Sequence, residues 1–144
     1  MEVGLLGHIG IGASFGLAAL GSAIGIVING QAVIGAWKKC YLQKKPAPFI
    51  LVVFAGSVLS NPIYGFITMT SLADSVLLNN YQLFVLGISA GLCLGVVAIT
   101  QAICSAAAAE AYAETRQGFG NFLMVIGIAE TVSLFAMVFT LLFA

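Results

Sequence analysis

The chain has 144 residues, of which 61% are hydrophobic and only 7% charged, with five basic residues against five acidic ones. Soluble domains carry about 25% charged residues, and a mean hydropathy of +1.12 leaves too little polar surface to cover a water-exposed globule. This composition excludes a soluble enzyme domain and points to an integral membrane protein; the zero net charge gives no reason to expect a nucleic-acid partner.

The start of the chain, Met1-Glu2-Val3-Gly4, has no basic stretch ahead of its apolar run. No cleaved signal peptide is therefore expected, and the first span should be retained. Four long apolar segments follow, over 7–36, 49–72, 81–113 and 119 to the C-terminus. Each reaches the roughly 20 residues needed to cross the bilayer as a helix. Strands are not expected, because alternation is absent and single-chain bacterial barrels need about eight strands or more. The first and third segments are long enough to project beyond the hydrocarbon.

The connections are short. The stretch 40–48 carries Lys44, Lys45, Pro46 and Pro48, the stretch 73–80 carries Asp74 with Asn79-Asn80, and 115–118 carries Arg116. All five basic residues (Lys38, Lys39, Lys44, Lys45 and Arg116) fall at the ends joined by the first and third connections. By the positive-inside rule those ends face the cytoplasm and both termini face out.

Three cysteines, Cys40, Cys93 and Cys104, form no CxxC. Cys93 and Cys104 read as small apolar residues of the third segment, and neither a disulfide framework nor a zinc site is indicated. His8 stands alone near the N-terminus and reads as an interfacial residue.

A shift of 70 residues superimposes Gly21 on Gly91, Gly25 on Gly95, Gln31 on Gln101, Ala32 on Ala102, Ala36 on Ala106 and Phe49 on Phe119. The fold class predicted is therefore all-α: four transmembrane helices as two tandem, duplicated helical hairpins. The first hairpin covers 1–72 and the second 73–144. Small residues recur at four-residue spacing in the odd segments, as Gly12/Gly16, Ser14/Ala18/Ser22, Gly21/Gly25 and Gly87/Gly91/Gly95, with an alanine run at 106–109. Such faces let helices approach closely in lipid. They suit either packing within one chain or a ring of many copies.

The fourth segment holds one charge, Glu130, with no Lys, Arg or His within ten residues on either side. A carboxylate at mid-bilayer costs at least about 2.5–3.5 kcal/mol, so a proton, a metal ion or a partner residue must offset it. The 70-residue shift puts Ser60 where the second copy has Glu130. Ser57, Ser60, Asn61 and Tyr64 fall at i, i+3, i+4 and i+7 of the second helix and so share one face, and Gln101 lies on the third. Pro62 removes the donor that would serve the Val58 carbonyl, which makes that carbonyl a candidate cation ligand. A proton carrier needs only one carboxyl. A bare Na⁺ needs a carboxylate and several neutral oxygens, by the logic of hard cations. The oxygens of Ser60, Asn61 and Gln101 favour Na⁺, with H⁺ as the alternative and Tyr64 as a donor to the carboxylate. A mutual hydrogen-bonded staple is the plainer reading.

These residues carry a resemblance. The tandem hairpins, the "AET" at Ala129-Glu130-Thr131, the "SNPIYGF" from Ser60 to Phe66, and Gln101 ahead of the alanine run resemble the proteolipid c, or K, subunit of bacterial V-type rotary ATPases, in its sodium-transporting branch. That resemblance implies an ion site of Glu130, Gln101, Ser60, Asn61 and Tyr64, with a backbone carbonyl at Ser57. Ser60-Asn61 stand where Thr-Gln is typical of the branch, and Pro62 lies about a turn later than usual. The resemblance further implies a homo-oligomeric rotor ring in the lipid of the bacterial cell membrane. It implies a stator subunit with an essential arginine, and a central-stalk subunit docked at 40–48 and 115–118. ATP would be turned over in other subunits, as this chain has no phosphate-cradling motif. No cofactor is expected; the ion is cargo. The competing class is a small four-helix proton-coupled exporter, but such exporters place the essential Glu in the first helix, which here has none.

Overall fold

A computed structural model describes residues 3–144. All regular elements among the described residues are helical. Helix α1 runs Leu5–Leu42, a 3₁₀ turn Phe49–Leu51 leads into α2 at Val52–Ala55, α3 runs Ser60–Asp74, α4 Asn80–Thr115 and α5 Phe119–Phe143. Four spans are long and apolar enough to cross a membrane: α1, the composite Phe49–Asp74, α4 and α5. Their large apolar side chains face outward, among them Leu20, Ile34, Ile63, Val96 and Phe135. That is the pattern lipid requires, because no hydrophobic force in a bilayer drives such side chains inward.

At 38 residues, α1 is about 57 Å long, well beyond a hydrocarbon core of about 30 Å. It ends at Leu42 rather than where the apolar run fades, so Lys38 and Lys39 lie within the helix. The first connection therefore shortens to 43–48 and the second to 75–79. Helix α4 begins with a capping box: the Asn79 side chain accepts from the Gln82 amide, and the Gln82 side chain accepts from the Asn79 amide, each at 2.9 Å. These reciprocal bonds satisfy two donors left open by a helix start. The last connection turns through left-handed Arg116 and Gly118 (φ 59° and 79°).

Helices α1 and α4 run parallel in close contact. Gly4 N–H donates to Asn80 Oδ1 at one end (2.8 Å) and Lys39 pairs with Glu114 at the other. Between them the backbones nearly touch. A Cβ on Gly21 would fall 2.2 Å from the Gly95 carbonyl oxygen, and one on Gly87 1.9 Å from that of Gly10. Only glycine fits at these crossings. The composite span and α5 lie against this pair. Helix α5 is the least covered, burying only Ile126, Ser133 and Thr140. Near its start, Phe119 packs with Phe54 and Tyr112 at centroid separations of 5.5 and 5.7 Å.

Chain direction brings both basic connections to one end of the bundle. There the Arg116 guanidinium donates to the Pro46 carbonyl at 2.5 Å and lies 3.4 Å from Cys40 Sγ, tying the two connections together.

Candidate ion-binding site

The second span is not one continuous helix. Between α2 and α3, residues 56–59 form tight turns, with Ser57 N–H bonded to Phe54 O (3.3 Å), Leu59 N–H to Gly56 O (3.2 Å) and Asn61 N–H to Val58 O (3.4 Å). Pro62 is the third residue of α3, a first-turn position where a missing N–H costs the helix nothing. The single polar face expected from a continuous helix is thereby divided. Ser60, Asn61 and Tyr64 belong to α3, while Ser57 lies in the break.

The break leaves the Phe54 and Val58 carbonyls only long i+3 amide donors, at 3.3 and 3.4 Å, in place of the i+4 ladder, and the lone pair left over on each needs a further partner. Side chains from α1 and α4 meet that need. The Phe54 carbonyl accepts from Asn29 Nδ2 (2.9 Å) and Ser105 Oγ (2.7 Å), and the Val58 carbonyl accepts from Ser22 Oγ (2.9 Å). Pro62 led to the expectation that the Val58 carbonyl is free for a cation; it already has two donors and is not a free ligand. Asn29 and Ser105 were not singled out from sequence, and Ser22 was read only as a small packing residue. The one available signal was an asparagine inside an apolar run.

Glu130 is half-buried on α5, and its Oε1 accepts from the Tyr64 hydroxyl at 2.8 Å. Asn61 and Gln101 are both fully buried, and Asn61 Nδ2 donates to Gln101 Oε1 at 3.0 Å. The Ser133 hydroxyl donates to Asn61 Oδ1. Ser133, almost a turn beyond Glu130, is thus joined to this group. The same two turns of α3 and α5 are tied twice, through Tyr64–Glu130 and Asn61–Ser133. Ser57 Oγ accepts from Asn29 Nδ2 at 3.4 Å and has no direct bond to this group.

Two buried polar atoms here have no partner: Ser60 Oγ and Gln101 Nε2. Turning both amides over keeps every bond of the Gln101–Asn61–Ser133 chain, because each amide carries a donor and an acceptor and a hydroxyl serves as either. The free atom at Gln101 then becomes an oxygen. The site can therefore present a donor, suited to a carboxylate, or an acceptor, suited to a cation. With Ser60 Oγ it holds uncommitted oxygen on α3 and α4. This donor set is hard and oxygen-based, the kind taken by alkali and alkaline-earth cations rather than by soft metals.

Residues 84–143 match the C-subunit family of ATP synthases. That match takes in most of α4 and the whole of α5, and with them Gln101, Glu130 and Ser133; it covers less than half of the chain. Over 140 residues, 96% of its length, the chain is 29% identical to the A-type ATP synthase subunit K of Methanocaldococcus jannaschii. It spans 61% of the length of that relative. Both similarities concern subunits of ATP synthases by name, and the first falls on the part of the chain that carries the carboxylate.

Proposed function

We propose that the chain is an ion-carrying rotor subunit of a rotary ATPase, V/A-type in kind, and that its cargo is Na⁺, with H⁺ as the alternative. The observation that carries this reading is Glu130, a lone carboxylate in an apolar span, held by Tyr64 and set beside a buried amide chain with an uncommitted atom at Gln101. The similarity of residues 84–143 to the ATP synthase C-subunit family supports the rotor role, and the similarity to an A-type subunit K supports the V/A-type kind.

In operation, Glu130 takes a cation from one aqueous access route and carries it around as the ring turns. It gives the cation up to another route when a stator arginine approaches. Tyr64 orients the carboxylate. Ser60, Gln101 and Asn61, with Ser57 at the break, supply the neutral oxygens that replace the hydration shell. Copies of the chain form the ring. A Cβ added at Gly12, Gly16, Gly30 or Gly35 of α1 would meet nothing within 4 Å inside the chain, which leaves these positions open to a neighbouring copy. The connections 40–48 and 115–118 face the cytoplasm and dock the central stalk, while both termini face out. This is a non-catalytic subunit of a bacterial cell-membrane complex whose ATP chemistry lies elsewhere.

A hydrophobic carbodiimide attacks a protonated carboxyl, so labelling of Glu130 in membranes tests the cargo. Na⁺ at near-neutral pH slows labelling if it occupies the site. Labelling that responds to pH and ignores Na⁺ rules out the sodium assignment.

A further inference from the structure

We infer that Asn29 on α1 is a positioning residue for the ion site: by clamping the break at 56–59 it places the Ser57 and Ser60 oxygens, and so determines how tightly Na⁺ is held. The inference rests on the sodium reading of the site above.

Asn29 is fully buried, yet it belongs to neither span that bears the carboxylate or the α3 oxygens. Its amide nitrogen spends its two hydrogens on the Phe54 carbonyl before the break and on Ser57 Oγ within it. One side chain thus fixes both the backbone entering the break and the first oxygen inside it. Ser105 adds a second donor to the same Phe54 carbonyl from α4, and Ser22 holds the Val58 carbonyl just before Ser60. Without these donors the Phe54 carbonyl keeps only the long Ser57 N–H bond (3.3 Å) and would be better served by an ordinary i+4 amide, which draws residues 56–59 back toward a continuous helix. That change rotates Ser57 and Ser60 relative to α5. It leaves the Tyr64–Glu130 bond, further along α3, in place. Asn29 Oδ1 itself is buried without a partner, so the residue stands here despite an unmet polar atom. Packing alone does not explain that, since a leucine of similar size would fill the space at less cost.

The test compares Asn29→Leu with Val33→Ala in membranes carrying the full-length chain. Val33 is buried one turn further along α1 and is apolar, so its truncation loosens packing without touching the clamp. The readout is the Na⁺ concentration that halves carbodiimide labelling of Glu130, alongside the pH dependence of labelling without Na⁺. Asn29→Leu is expected to raise the half-protecting Na⁺ concentration tenfold or more and to leave the pH dependence unmoved, while Val33→Ala shifts the Na⁺ value less than threefold. An unchanged Na⁺ value in Asn29→Leu overturns the inference and leaves the sodium reading standing. An equal shift in Val33→Ala also overturns it, by reducing Asn29 to packing. A wild-type chain blind to Na⁺ overturns the sodium reading and this inference together. If Asn29→Leu does not accumulate, Ser105→Ala, which deletes the other side-chain donor to the Phe54 carbonyl, is measured instead. A threefold or greater rise supports the clamp and no rise refutes it.

Discussion

The Tyr64 hydroxyl on α3 donates to the Glu130 carboxylate on α5 at 2.8 Å, joining the two hairpins. A hydrogen bond to a charged group contributes about 1.5–3 kcal/mol, and about 1.4 kcal/mol is a factor of ten in affinity. Tyr64→Phe removes only the hydroxyl. It is expected to raise the Na⁺ concentration that half-protects Glu130 about tenfold, with the protein still assembled. An unchanged value would mean that the bond does not hold the loaded carboxylate.

The Gln101–Asn61–Ser133 chain predicts non-additivity. Asn61→Leu strands the Gln101 amide and the Ser133 hydroxyl in a buried setting, at about 1–3 kcal/mol for each group left unpaired. Gln101→Leu in the same chain removes one of those stranded groups. Thermal unfolding in mild detergent should therefore show the double variant closer to wild type than the summed single losses, because contacting residues couple. Simple additivity would separate the two amides.

Glycines on the two faces of α1 should respond differently. A Cβ on Gly21 collides with the Gly95 carbonyl, whereas one on Gly12 meets nothing within the chain. Gly21→Ala is expected to prevent accumulation of folded protein. Gly12→Leu is expected to leave the chain folded and to abolish the ring on native gels and in electron micrographs. A ring that survives Gly12→Leu would remove that face from the contact between copies.

The four spans and the lone carboxylate were legible in the sequence because lipid leaves a composition signal that needs no tertiary knowledge. The 70-residue register also set Ser60 at the place of Glu130, one residue ahead of Asn61, which bonds Gln101. The break at 56–59 was not legible. Gly56, Ser57 and Pro62 mark the neighbourhood, but what sustains the break is three donors (Asn29, Ser22 and Ser105) from helices distant in sequence. The Val58 carbonyl was expected to be free for the same reason: Pro62 shows which donor is missing and gives no hint that Ser22 replaces it. The sequence places Ser133 almost a turn beyond Glu130, but not its partner, an amide oxygen on a helix distant in sequence. Helix ends were also misplaced at Leu42, because apolarity fades at the membrane surface while the backbone ladder continues into water.

In the proposed function Glu130 carries the ion. The most direct test of that role is ATP-driven ²²Na⁺ uptake into vesicles containing the whole complex with Glu130→Gln in this chain. The substitution keeps the side chain's size and removes its charge. Uptake is expected to be lost while the ring remains assembled. Uptake at the wild-type rate through an assembled Glu130→Gln ring would contradict it.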